Sequence, residues 1–266
     1  MNQLTSSSYQ HWLISISNKI ATITLNRPAV KNRIDATTLR ELGQLTSEIQ
    51  SNKDIWAVIL KANGDSFSTG VDVSLIGAMI NNDRETYESN LRTFQGYLDA
   101  FEAIEKPIVA ALHGYVIGGG LILALCCDFR IAADNIIISL PEVKRSIGVI
   151  MGTQRITRTI GLAYTKELVM LGNHITSQRA YEMGLVNQVV AQDNLDEETK
   201  LFAEQFLDLP PLAVGLCKKI INEGQFLHRA GQELEIEAQA ALLETNDFKE
   251  AISSFLEKRK PNYKGS

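Results

Sequence analysis

Cysteine, histidine and tryptophan are scarce in this chain, with 3, 4 and 2 among 266 residues. Cys126 and Cys127 are adjacent in an apolar run and Cys217 stands far away. That distribution argues against a disulfide framework and for a reducing, cytoplasmic setting. His11, His113, His174 and His228 show no metal-ligand spacing with cysteine or carboxylates, so no metal is expected. No stretch reaches the roughly 18 uncharged apolar residues that a membrane span needs. The opening MNQLTSSSYQ lacks the basic and apolar regions of a secretion signal, and the closing Lys264-Gly265-Ser266 is not a peroxisomal address. Low-complexity tracts and fixed-period repeats are also missing. There is no excess of basic charge either. The 26 Lys and Arg residues are scattered among 31 Asp and Glu, for a net charge of -5, so neither nucleic acid nor an anionic membrane is an expected partner. Any anionic ligand has to be met locally. The remaining composition, 45% hydrophobic and 21% charged, is that of an ordinary globular protein with one large domain, alone or with a helical appendage.

Residues 12–16 (WLISI) and 20–25 (IATITL) are β-branched and flank the turn-prone Ser17-Asn18-Lys19, which predicts a hairpin. Asp35 is placed to cap a helix on which Leu39, Leu42, Leu45 and Ile49 recur on one face. A buried strand follows at 56–60 and a polar turn at 63–65. The plan then repeats. A helix is expected over about 85–103, a strand at 108–112, a Gly-rich loop, a short apolar helix from Gly120, and a strand at 128–133. This succession predicts an α/β architecture. Residues 160–185 turn helical, with a helix start near Thr176-Ser177-Gln178. Beyond about Asp193 only helices are expected, over 213–223, around 234–243 and over 248–260. We therefore divide the chain into a core, 1–192, and a C-terminal helical oligomerisation region, 193–266. Leu234, Ala238, Ala241 and Leu242 give that region an apolar stripe to bury.

Two segments put glycine where a backbone must approach something closely. One is Phe67-Ser68-Thr69-Gly70-Val71-Asp72, and the other is His113-Gly114-Tyr115-Val116-Ile117-Gly118-Gly119-Gly120. The second leaves a strand and enters a helix, where the free first amides carry the positive end of the helix dipole. Neither segment has the spacing of a P-loop or of a dinucleotide fingerprint. By itself a Gly triplet between strand and helix is as often a structural connector as a site.

The pair FSTGVD and HGYVIGGG, followed by Ser139-Leu140-Pro141-Glu142 and by Gly152-Thr153-Gln154-Arg155, resembles the crotonase (enoyl-CoA hydratase/isomerase) superfamily along almost the whole chain. Leu25-Asn26-Arg27-Pro28 with Val30-Lys31-Asn32-Arg33 is similar to the family's coenzyme A segment, and Phe255–Lys260 to its closing stretch. The resemblance implies a spiral of ββα units with a C-terminal helical region that trimerises, as a homotrimer or as a homohexamer made of two trimers. It also implies an acyl-CoA thioester substrate, or an acyl-carrier thioester, with no cofactor beyond the coenzyme A of the substrate. The family's oxyanion hole maps onto the backbone N–H groups of Val71 and Gly119.

The family's two acid/base carboxylates map less evenly. One position falls on Ile122, which carries no proton, and the other on Glu142. Adding water across a conjugated double bond divides its proton transfers between two groups, whereas moving a double bond from the 3- to the 2-position shuttles one proton, which a single glutamate can do. The expected reaction is therefore Δ3,Δ2-enoyl-CoA isomerisation, of the kind met in fatty acid metabolism. The alternatives are hydration (a lyase reaction), decarboxylation, or secondary-metabolite acyl chemistry. A further alternative is a non-catalytic module that binds acyl-CoA, RNA or a protein. Positions 146 and 148–152 depart from the family's glycine pattern, so the wall beside the acyl chain is remodelled.

The resemblance brings Val30, Lys31, Arg33, Thr69, Gly70, Asp72, Gly118, Phe255 and Lys258 toward substrate and coenzyme, the last two often from a neighbouring subunit. Each has a plainer reading. Glu142 can cap a turn or pair with Lys144 or Arg145, Asp72 can order its loop, and Lys31 and Arg33 can be solvated charges. Phe255 and Lys258 can be a helix-end core residue and an exposed lysine. His113 reads as a packed structural histidine, and Cys126 and Cys127 as core.

Overall fold

Trp12–Ser17 (β1) and Ile20–Leu25 (β2) pair antiparallel, Trp12 opposite Leu25 and Ser17 opposite Ile20. Asn18 and Lys19 between them take positive φ, 47° and 61°, as a two-residue turn matched to strand twist requires. The computed structural model describes residues 9–79, 82–224, 233, 236–237, 240 and 243–262.

Helix α1, Ala36–Ser51, starts at Asp35. The Thr38 N–H donates to Asp35 Oδ1 at 2.9 Å, and Thr38 Oγ1 lies 3.4 Å from the Asp35 N–H, a reciprocal cap for two otherwise orphaned amides. Leu42, Leu45 and Ile49 are fully buried and Leu39 nearly so. Each such side chain is worth about 1.5–3 kcal/mol, and together they hold α1 over the sheet.

The chain continues through β3 (Ala57–Ala62), α2 (Val73–Met79), α3 (Arg84–Glu102), β4 (Ile108–Leu112), β5 (Tyr115–Ile117), α4 (Gly119–Leu125), β6 (Phe129–Ala133) and β7 (Ile137–Ser139). After a 3-10 turn at Pro141–Arg145 come α5 (Thr153–Leu171), β8 (Ile175–Thr176), α6 (Ser177–Glu182), β9 (Gln188–Val190), α7 (Leu195–Glu204), α8 (Pro211–Gly224) and α9 (Asn246–Leu256). One sheet has the order β1-β2-β3-β4-β6-β9, parallel from β2 onward, and a smaller one has the order β5-β7-β8. Helical crossovers cover the parallel strands, so all five residues of β4 are buried, as strands covered on both faces are.

The structure adds elements where the sequence led us to expect loop. Tyr115–Ile117, read as part of the Gly-rich loop, is a strand paired with β7, and α2, β7 and β9 were not anticipated. The helical stretch over 160–185 is two helices: Gly172, with φ 60°, ends the first, and the second starts at Ser177 behind an N-cap at Thr176, where a start was expected. Residues after 193 do not all leave the sheet. Helix α7 packs on β3, β4 and β6, with the Phe202 ring 5.0 Å from that of Phe129. The stripe of Leu234, Ala238, Ala241 and Leu242, and His228, lie outside the described residues. Among the described residues no helix is long and apolar enough to cross a membrane.

Candidate active site

The segment 67–72 is stitched between two others. Phe67 N–H donates to His113 O at 2.9 Å, Ser68 N–H to Tyr115 O at 3.0 Å, and Ile117 N–H to Ser68 O at 2.9 Å. On the other side, Thr69 N–H donates to Lys31 O at 3.1 Å, Ile34 N–H to Gly70 O at 2.9 Å, and Asp72 N–H to Ile34 O at 2.8 Å. Val71 sits between the last two bonds, so its own N–H faces the opposite way, as extended backbone alternates. It points toward the start of α4.

Helix α4 begins at Gly119, and Gly118 takes φ 53°, a conformation that only glycine adopts readily. The three backbones meet with no room for side chains. A methyl group on Gly70 would lie 3.3 Å from Gly119 N, and one on Gly119 would lie 3.3 Å from Val71 N and 2.9 Å from Val71 Cγ2. Among the described residues neither the Val71 nor the Gly119 N–H has a hydrogen-bond partner. Two unpaired amides, one at a helix N-terminus, therefore converge beside a cavity, an arrangement suited to an oxygen that gains negative charge.

Glu142 approaches the same point from the other sheet. It follows Pro141 in the 3-10 turn after β7, and Gly118 N–H donates to Ser139 O at 2.9 Å, which fixes that turn against α4. A methyl group on Gly118 would lie 2.5 Å from Glu142 Oε1. Oε2 is inaccessible and has no hydrogen-bond partner among the described residues. Burial raises the Glu142 carboxyl from 4.5 to about 7, and its own backbone amide and the Arg145 charge offset this only in part. The side chain forms no ion pair with Lys144 or Arg145. Lys144 Nζ reaches Asn173 Oδ1 at 3.2 Å, and the Arg145 guanidinium lies over the Phe255 ring at 5.0 Å.

These groups line a cavity of about 1090 Å³. Much of its wall is aliphatic and aromatic, including Leu91, Phe94 and Leu98 of α3 with Ile122, Ile150 and Met151. The wall also carries the cations Arg33, Lys144, Arg145 and Arg259. Helix α9 of the same chain supplies Phe255 and neighbouring residues, so part of the roof comes from within the chain. Asp72 is the second carboxylate on the wall, but it is occupied. Its Oδ1 accepts from Ser74 N–H at 3.0 Å and Ser74 Oγ at 2.8 Å, and Arg33 Nη1 lies 3.6 Å away. Burial pushes this carboxyl up, and the Ser74 hydrogen bonds and Arg33 outweigh it, leaving Asp72 lowered.

Thus Arg33, Thr69, Gly70, Val71, Asp72, Gly118, Gly119, Glu142 and Phe255 gather around one cavity. Val30, Lys31 and Lys258 do not line it. Val30 and Lys31 form a 3-10 turn and its left-handed end outside the wall, with Lys31 Nζ 5.5 Å from the Tyr115 ring. Lys258 lies just past the end of α9 with φ 54°. His113 is a packed residue, its Nε2 3.1 Å from Gly64 O, and burial lowers its pKa. Burial raises the thiols of Cys126 and Cys127, so neither is a nucleophile.

Two contributors escaped the sequence reading. Asn32 is fully buried and locks the loop, donating from Nδ2 to Asn63 O at 2.7 Å and Ser66 O at 2.8 Å while accepting from Arg27 N–H at 2.8 Å. Arg155, also buried, ties the cavity end to α3. It donates from Nε to Glu102 at 2.8 Å, pairs with Asp99, and binds the carbonyl of Met151. Only its place next to the Thr-Gln pair signalled it.

The family model for enoyl-CoA hydratase/isomerase matches residues 15–266. The crotonyl-CoA hydratase of Syntrophomonas wolfei is 34% identical over 263 residues, covering 96% of this chain and 98% of that protein. The short-chain-enoyl-CoA hydratase of Clostridium acetobutylicum is 34% identical over 93% of this chain and 95% of its own. A solved enoyl-CoA hydratase/isomerase from Pseudoalteromonas atlantica superposes with a TM-score of 0.85 at 28% identity, covering 96% of this chain and 100% of that one. The chain belongs to the enoyl-CoA hydratase/isomerase family, within the crotonase superfamily. It has the crotonase fold and is an enzyme of that family.

Proposed function

We propose that this enzyme converts 3-enoyl-CoA thioesters to their 2-enoyl isomers, with Glu142 as its single acid/base. One observation carries the reading: of the two carboxylates on the cavity wall, Glu142 alone has, among the described residues, a buried oxygen with no hydrogen-bond partner, and position 122 is an isoleucine packed in the core. Ionised Glu142 removes a proton from C2. The electron pair spreads over the thioester oxygen and C4, the Val71 and Gly119 amides hold that oxygen, and Glu142 returns the proton to C4, leaving the double bond between C2 and C3. A base near pH 7 is matched to this exchange, and losing one such donor costs about 2.7–4 kcal/mol of transition-state stabilisation. Arg33, Lys144 and Arg145 are suited to the phosphates of coenzyme A, whereas Arg259 is paired with Glu250 and Glu257.

Hydration is the second reading, favoured by the names of the relatives at 34% identity. Presenting 2-enoyl and 3-enoyl thioesters separately decides between the two. Isomerisation raises the ultraviolet absorbance of the conjugated thioester from the 3-enoyl substrate. Loss of absorbance from the 2-enoyl substrate, with a silent 3-enoyl reaction, overturns the proposal.

A further inference from the structure

Ile122 is 7% exposed yet forms part of the cavity wall. It lies one helical turn beyond Gly119, and helical side chains tilt back toward the N-terminus, so it hangs over the place where the Gly119 amide points. A thioester oxygen held by Val71 and Gly119 puts C2 beside Glu142, and the following carbons pass between Glu142 and Ile122. On the side away from the cavity the isoleucine is backed. Behind it stands Gly152, where even a methyl group would lie 2.7 Å from Ile122 Cγ1, 3.0 Å from Cδ1 and 3.1 Å from Val149 Cγ1. Gly152 is itself held, because Met151 before it takes φ 64° and its carbonyl is bound by the buried Arg155. A close-packed side chain backed in this way does not yield to an added methyl group without strain.

We infer that Ile122 is a specificity-determining residue, a fixed wall that confines this site to acyl chains unbranched at C3. The inference rests on reading the cavity as an acyl-CoA site, though not on which reaction occurs there. Leu91, Phe94 and Leu98 add apolar wall to the same cavity.

The test is binding of two saturated thioesters that undergo no turnover, hexanoyl-CoA and 3-methylhexanoyl-CoA, measured by titration calorimetry. The native enzyme is expected to prefer the straight chain by about 10-fold or more, the scale of one methyl group in a pocket. Ile122→Ala should bring the two within about 3-fold by tightening the branched ligand, and Ile122→Val, a milder core change, should move the ratio part of the way. Equal binding by the native enzyme overturns the inference, as does a ratio that neither variant changes. Hexanoyl-CoA that binds without discrimination defeats this inference alone. Failure of both ligands to bind defeats the acyl-CoA reading with it.

Discussion

Replacing Glu142 by Gln separates what this residue does for chemistry from what its burial does to stability. Glutamine keeps the shape and removes the charge. In the native protein the carboxyl titrates near 7 rather than at 4.5, chiefly because burial disfavours the anion. The native state therefore holds its proton more tightly than the unfolded chain. This group's contribution to stability is therefore most favourable below pH 4.5, falls as the pH rises toward 7, and levels off above that. The gap between 4.5 and about 7 corresponds to about 3 kcal/mol, at about 1.36 kcal/mol per pH unit. At roughly 2 °C per kcal/mol for a chain of this length, Glu142→Gln should melt about 6 °C above the native enzyme at pH 8.5 and close to it at pH 4.5. Over the same range kcat/KM of the native enzyme should rise with pH through about 7, as the base ionises, while the variant stays inactive. A melting difference that is the same at both pH values would refute the buried-anion argument. Full activity of the variant would refute the assignment of Glu142.

Val71→Pro removes one unpaired N–H and puts a ring carbon between the two amides, so kcat should fall by at least about 10²–10³-fold, with circular dichroism checking the fold. Val71→Ala keeps the amide and should stay within about 3-fold. Arg155→Met strips the buried cation from Asp99 and Glu102, and denaturant titration should show a loss of about 3 kcal/mol or more.

The parts of the fold legible in the sequence were those whose signal is local. Asp35 with its leucine row, the 12–25 hairpin and the IVAAL strand each declare themselves within a few residues. Tyr115–Ile117 did not, because its strand character comes from pairing with Ile137–Ser139 and the neighbouring glycines mask it. Asn32 was opaque for a similar reason: its amide serves carbonyls more than thirty residues away. At the site, the motif order gave Val71, Gly119 and Glu142, and the absence of a carboxylate at 122 was visible at once. Family likeness drew Val30, Lys31 and Lys258 into the same set, but backbone turns decide where those side chains lie, and no local pattern encodes that. The cation–π contact of Arg145 with Phe255 joins segments more than a hundred residues apart and left no trace in either.

The two unpaired amides sit on separate stretches of backbone, and what aligns them is the seam of hydrogen bonds running from 30–34 through 67–72 to 115–117. No short fragment carries both donors and the carboxylate. During refolding, helix content can return early while these distant pairings, slow to close, are still open. Catalytic activity should then be the last property to recover, which makes turnover a stricter gauge of complete assembly than any spectrum of secondary structure.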